Sequence, residues 1–236
     1  MDTYWYISDD KLAFSSEDVA RFRDRFEGKV QLGFAPAGVG AEVGIRPRAD
    51  PTLVEHVHRF ERMAHREHLA PDLAEAAVRH PPPSMFRFQG SGARLLENAC
   101  FWVAGAAGST GFLLVGSISN AVGGRIDDDT AATFNSGGPS ADPLRVIGAL
   151  IEMGEEAPQT GGSGSLSAII SSSWSTIVLG GTRYMPLEDL PSVTGIAQYA
   201  GRQRVPDLAW SDEKREVLSG IEAIVVGSPF FVAQSA

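Results

Sequence analysis

Apolar and polar positions along this chain follow two periods, and the switch between them marks out the predicted elements. Near the start, "TYWYIS" puts Tyr4 and Tyr6 on one face and Trp5 and Ile7 on the other, which predicts a strand buried on both sides. "SSEDVARFRDRFEG" then changes to helical spacing. Val19, Phe22 and Phe26 recur on one face, Ser15 and Asp18 have capping-box spacing, and Gly28 suits the exit. "KVQLGFAPAGVGAEVGIRPR" reads as short strands broken by glycine and proline. Asp50 and Pro51 open a second helix as N-cap and first-turn proline. "DLAEAAVRH" predicts a third, short helix, ended by the prolines at 81 to 83.

Beyond Met85 the period is that of strands. "MFRFQGSGARLLE", "ACFWVAG" and "TGFLLVGS" are separated by small-residue turns, the pattern of an antiparallel meander. "DPLRVIGALIEMG" is a capped helix with Leu144, Ile147, Leu150 and Ile151 as its stripe. "WSTIVLGGTRYM" reads as a strand and "SDEKREVLSG" as a short capped helix. "IEAIVVGSPFFVAQ" closes the chain as a strand pair or one bulged strand. Together these predict one α+β domain over residues 1–236, a largely antiparallel sheet with four to five flanking helices, and a stiff connector at 81–84.

Composition narrows the function classes. With 43% apolar and 21% charged residues the chain has the make-up of a globular protein, and 236 residues suffice for a substantial core. A net charge of −9 argues against nucleic acid as a partner, because phosphate contacts need basic surface. Arg21, Arg23 and Arg25 alternate with Phe22, Asp24 and Phe26, so they read as a mixed helix face. "MDTYWYISDD" has neither the basic start nor the apolar stretch of a secretory leader, and no apolar run is long enough to span a membrane. A single cysteine, Cys100, lies in an apolar run and reads as a buried structural thiol. A cytoplasmic protein is the expectation. Arginine in place of lysine, with abundant Ala and Gly, fits a GC-rich, actinobacterium-like genome.

The chemistry-bearing residues crowd into one place. "HVHRFERMAHREH" holds four of the five histidines, and the fifth is His80. At 100° per residue, His58, Glu61, His65 and His68 fall within a sector of roughly 80°, beside the apolar sector of Leu53, Val57, Phe60 and Ala64. Imidazole and carboxylate on one helix face can share a divalent ion, so Glu61, His65 and His68 are the candidate metal ligands. The H-E-x-x-H order is missing, and Arg59, Arg62 and Arg66 interleave with Glu55, Glu61 and Glu67. The same stretch therefore also reads as a solvated, ion-paired helix edge.

Other motifs are weaker. Asp127, Asp128 and Asp129 form an acidic loop without the EF-hand continuation. "AGVGAEVG" and "TGGSGSLSA" are glycine-rich but lack the Gly-Lys-Ser/Thr of a phosphate loop, and no G-x-S-x-G elbow exists. "LLVGS", "IVLGG" and "IVVGS" share an apolar run stopped by glycine, which suits glycine turns or a shared cleft. Trp5, Phe101, Trp102 and Trp174 read as core or as the lining of a cleft or interface.

"YWYISDDKL", "FWVAG…TGFLLVGSISNAVGG" and "IVVGSPFFVA", in that order, resemble an actinobacterial family described as a domain of unknown function. Similar proteins open on an aromatic strand with Ser-Asp/Glu-x-Lys and close on Gly-Thr/Ser-Pro; here these are Ser8 to Lys11 and Gly227 to Pro229. This chain departs from the pattern in the middle, with "LVGS" for a glycine-rich L-G-G-S and "SNAVGG" where a histidine-containing stretch is expected. The resemblance implies an accessory protein of a multi-component, defence-like bacterial system and carries no reaction.

The expected function is therefore a noncatalytic module that binds a protein partner or small ligand and has no catalytic residues or cofactor. The alternatives are an enzyme using Glu61, His65 and His68 through a divalent metal or as acid–base groups, and a structural subunit of an assembly.

Overall fold

The computed structural model describes residues 3–9, 11–12, 51–97, 100–117, 120–122, 166–182, 187–206 and 211–235. Among these residues the strands and α-helices are, in chain order, β1 (Thr3–Ile7), α1 (Pro51–Arg66), α2 (Leu73–Val78), β2 (Met85–Glu97), β3 (Cys100–Ala107), β4 (Thr110–Ser117), α3 (Leu166–Thr182), β5 (Ser192–Arg204), α4 (Asp212–Leu218) and β6 (Ala223–Gln234). The helices predicted around residues 15–28 and 142–154 and the broken strands of 29–48 lie outside the described residues. So do the Asp127–Asp129 loop, "AGVGAEVG" and residues 160–165 of "TGGSGSLSA", whose last three residues open α3.

An α+β architecture is present, but its sheet is a barrel rather than an open sheet. β2, β3 and β4 form the expected meander. β5 returns to lie against the first half of β2, which makes a Greek key. β6 then runs parallel to β4 on one edge and antiparallel to β5 on the other, closing a five-stranded ring. β1 stays outside the ring, paired with the end of β6. The other strand pairings among the described residues are antiparallel, so the β4–β6 contact departs from the expected strand direction.

Closure depends on two long strands that change partners. β2 pairs with β5 over Met85–Ser91 and with β3 over Ser91–Glu97, so the strand bends at "GSG". Glycine is needed at this corner. A Cβ on Gly90 would collide with the Ala106 carbonyl, and one on Gly105 would meet the Ser91 carbonyl and lie 2.5 Å from Phe112. β6 is the second such strand, giving its Ala223–Gly227 edge to β4 and its Phe231–Gln234 edge to β1. Pro229 lies in the gap between those partners, where a missing N–H costs no ladder bond.

Phenylalanines fill the barrel. Phe86 and Phe88 of β2, Phe101 of β3 and Phe112 of β4 meet Val193 of β5 and Val225 of β6, so all five ring strands contribute to one buried cluster. The alternate residues point outward into two further clusters. Trp102, Leu113, Val115 and Ile224 pack under α3, whose Ile170, Trp174, Ile177 and Val178 face the barrel. Trp174 Nε1 donates to the Gly105 carbonyl at 2.9 Å. On another flank, Val57, Phe60 and Ala64 of α1 pack on Phe230, Ile196 and the β1 residues Tyr4 and Ile7.

One sequence expectation is corrected, and one strand is new. "WSTIVLGG" is the second half of helix α3, not a strand. Its apolar positions also recur at i, i+4, i+7 and i+8, and a helix buried against both barrel and α4 has little polar face to reveal its period. β5 was not anticipated. Its "SVTGIAQYAGRQR" carries two glycines and a polar end, which dilute the alternation expected of a strand. The closing segment is one strand, with register shifts opposite β5 at Ile196/Ala197 and Tyr199/Gly201.

Candidate functional site

α1 ends in a turn that decides where the histidines point. Leu69 N donates to the Ala64 carbonyl at 3.0 Å and His68 N to the His65 carbonyl at 3.2 Å, the paired bonds of a Schellman cap. His68 occupies the left-handed position of that cap with φ 51°, where glycine is the relaxed choice. Leu69 then packs back against the cluster that contains Ala64. His68 is thus outside the helix proper, and its placement comes from the cap rather than from helical angle.

Beside this turn is a half-open cleft of about 360 Å³ between the end of α1, β2 and β5. Glu61, Arg62, His65 and His68 line it from the α1 side and Arg87 from β2. Ala64, Ala70 and Ile196 supply its apolar wall. The three residues expected to act together, Glu61, His65 and His68, are therefore on one cleft. His58 lies along the helix, its Nδ1 3.3 Å from Glu61 Oε2, and both side chains are solvent-accessible. Among the described residues, no three His, Cys, Asp or Glu side chains gather closely enough to hold a metal ion.

The ion-paired edge takes a different form from the one expected at helical spacing. Arg66 Nε bonds its neighbour Glu67 at 2.9 Å. Arg62 and Arg87 have no hydrogen-bond or ion-pair partner for their guanidinium groups among the described residues. His56 is exposed. His80 belongs to another feature: its Nε2 lies 2.6 Å from Arg202 Nη2, and Arg202 Nη1 also donates to the Ala77 carbonyl at 2.6 Å.

No family model, curated protein or solved structure matches this chain.

A second polar grouping joins the two ends of the described chain. Lys11 Nζ donates to Ser228 Oγ at 2.5 Å and to the Pro229 carbonyl at 3.2 Å, and lies 5.5 Å above the Phe230 ring. Ser8 N donates to the Phe230 carbonyl at 2.8 Å. Burial lowers the Lys11 amine from its ordinary range to about 7. Here Ser8 and Lys11 meet Ser228, Pro229 and Phe230, where β6 passes from β4 to β1. These contacts satisfy acceptors of β6 that neither neighbouring strand reaches.

The remaining singled-out residues belong to the core. Trp5, Phe101, Trp102 and Trp174 are all buried, so they do not line the cleft. Cys100 is buried in β3, and burial pushes its thiol pKa up, away from nucleophile chemistry. Gly116 packs on the Tyr6 ring and Gly227 on the Gln198 backbone and Phe86, so these glycines serve close packing rather than a shared cleft.

Sequence reasoning missed Arg87 and Ile196. Both come from strands distant in sequence from α1, and the return of β5 to β2 brings them together beneath the helix end. Arg87 did carry a signal. In "MFRFQ" it is the polar residue between buried Phe86 and Phe88, which points it outward.

Proposed function

We propose that this protein is a noncatalytic binding module that takes a small ligand in the cleft between α1, β2 and β5. One observation carries the reading: a hollow whose apolar wall of Ala64, Ala70 and Ile196 stands beside several polar side chains, Arg62, His65, His68 and Arg87, brought to it by the end of α1 and by β2. Its volume falls at the lower end of small-molecule sites. The enzyme alternative has less behind it, since Glu61 is engaged with His58 and no set of three metal-ligating side chains converges among the described residues. In the accessory-protein context implied by the family resemblance, such a module reports or retains a small molecule.

A thermal-shift screen of the full chain against small organic molecules, repeated with Ala70→Leu, tests this. Ala70 is half-buried on the cleft wall, so leucine fills the hollow. Ligands that raise the melting temperature of the wild type and lose that effect in the variant support the reading. Stabilisation that survives the filled cleft contradicts it.

A further inference from the structure

We infer that the ligand of this cleft is a small organic oxyanion, a carboxylate or phosphate ester on a compact apolar body, bound through Arg62 and Arg87. The inference rests on the binding reading above and adds the chemistry of the head group.

Charge is the first reason. Acidic residues outnumber Lys and Arg 29 to 20 in the chain, yet this hollow is lined by two arginines and two histidines against one carboxylate. That carboxylate, Glu61, already has His58 at 3.3 Å. The two guanidinium groups have no such partner among the described residues. A guanidinium offers paired N–H donors that match the oxygens of a carboxylate or phosphate, and is therefore suited to recognise either.

Origin is the second. Basic residues at a helix C-terminus commonly do no more than offset the helix dipole. That account covers His65 and Arg66, which stand in the last turn. It does not cover Arg87, which comes from β2. Three of the last four carbonyls of α1 are also occupied: Met63 accepts from Glu67 N, Ala64 from Leu69 N and His65 from His68 N. An anion at the arginines therefore meets carbonyls whose lone pairs are partly engaged.

Shape is the third. Ala64, Ala70 and Ile196 make one side of the hollow apolar, so the ligand has a hydrocarbon part beside its charged group. His68 adds a cost that glycine would avoid, since the cap holds it in the left-handed region at the rim of the same cleft.

Calorimetric titration of the full chain with phenyl phosphate, benzoate, inorganic phosphate and neutral benzamide provides the test, using wild type, Arg62→Gln/Arg87→Gln and Ala70→Leu. The expected result is saturable binding of phenyl phosphate or benzoate, the preferred one naming the head group, weakened at least tenfold in both variants. Benzamide and inorganic phosphate are expected to bind at least tenfold more weakly than the preferred anion. Circular dichroism melting of each variant verifies that it is folded. Benzamide binding as tightly as the anions, or anion binding unaffected by the double substitution, overturns the oxyanion inference. If ligands still respond to Ala70→Leu in that case, the cleft reading survives; if none does, both fail. Inorganic phosphate binding as tightly as phenyl phosphate overturns the apolar-body part.

Discussion

Lys11 and Ser228 are 217 positions apart in the chain and 2.5 Å apart in the fold. Their contact closes the seam where β6 leaves β4 and takes up β1, and a lysine there is held at the edge of its charged state. Below pH 7 the amine is protonated in both folded and unfolded chains, and its desolvation weighs against folding. Between about 7 and its unfolded value the folded chain binds fewer protons than the unfolded one, so this group adds stability as pH rises. Urea denaturation at pH 6.5 and pH 9 should show Lys11→Met lacking a pH-dependent gain that the wild type has. An identical pH response in both proteins would contradict this role.

His68 supplies a prediction of opposite character. Replacing it with glycine relieves the left-handed backbone and keeps both cap bonds, so His68→Gly is expected to stabilise the protein by about 0.5–1 kcal/mol. Chemical denaturation measures it. A loss of stability would mean that the imidazole contributes more to the folded state than the cap geometry costs.

Gly105 is expected to tolerate nothing larger. Alanine would press on the Ser91 carbonyl and Phe112 inside the barrel and disturb the carbonyl that accepts from Trp174. Gly105→Ala should cost roughly 1–3 kcal/mol in the same denaturation experiment. Gly108→Ala, at the β3–β4 turn, has open space around it but φ 59°, so its cost should be smaller, about 1 kcal/mol. Equal costs at the two sites would argue against the close packing drawn for the β2 bend.

Arg202 ties β5 to the end of α2 through the Ala77 carbonyl at 2.6 Å and His80. Truncation to alanine leaves that carbonyl without its charged donor, and a loss of about 1–2 kcal/mol is expected. Arg202→Lys should recover only part, because an ammonium cannot reach both acceptors with one planar group. Full recovery by lysine, read from denaturation midpoints, would reduce the contact to simple charge.

How far these features could be read in the sequence depends on whether local or distant contacts fix them. β1, α1, α2, the β2–β4 meander and α4 all carry their own signals: alternating aromatics, a first-turn proline, an Asp72 cap, glycine turns and Ser211 before an acidic first turn. Closure of the barrel had no such signal, because it rests on β6 pairing with β4 and β5 across long stretches of chain. The same limit applied to the cleft. Glu61, His65 and His68 were visible as one stripe on α1, but the wall they face comes from β2 and β5. Helix α3 was misread for a related reason, since burial on several sides removes the polar face that gives a helix its period.

Whether the end of α1 with β2 and β5 forms the ligand site is decided by a ¹H–¹⁵N NMR titration of the full chain with phenyl phosphate. A ligand in this cleft gives saturable shifts concentrated on the amides of residues 61–70, Arg87 and Ile196. Saturable shifts centred elsewhere on the barrel, or no shifts at concentrations that saturate a small-molecule site, would contradict a site there.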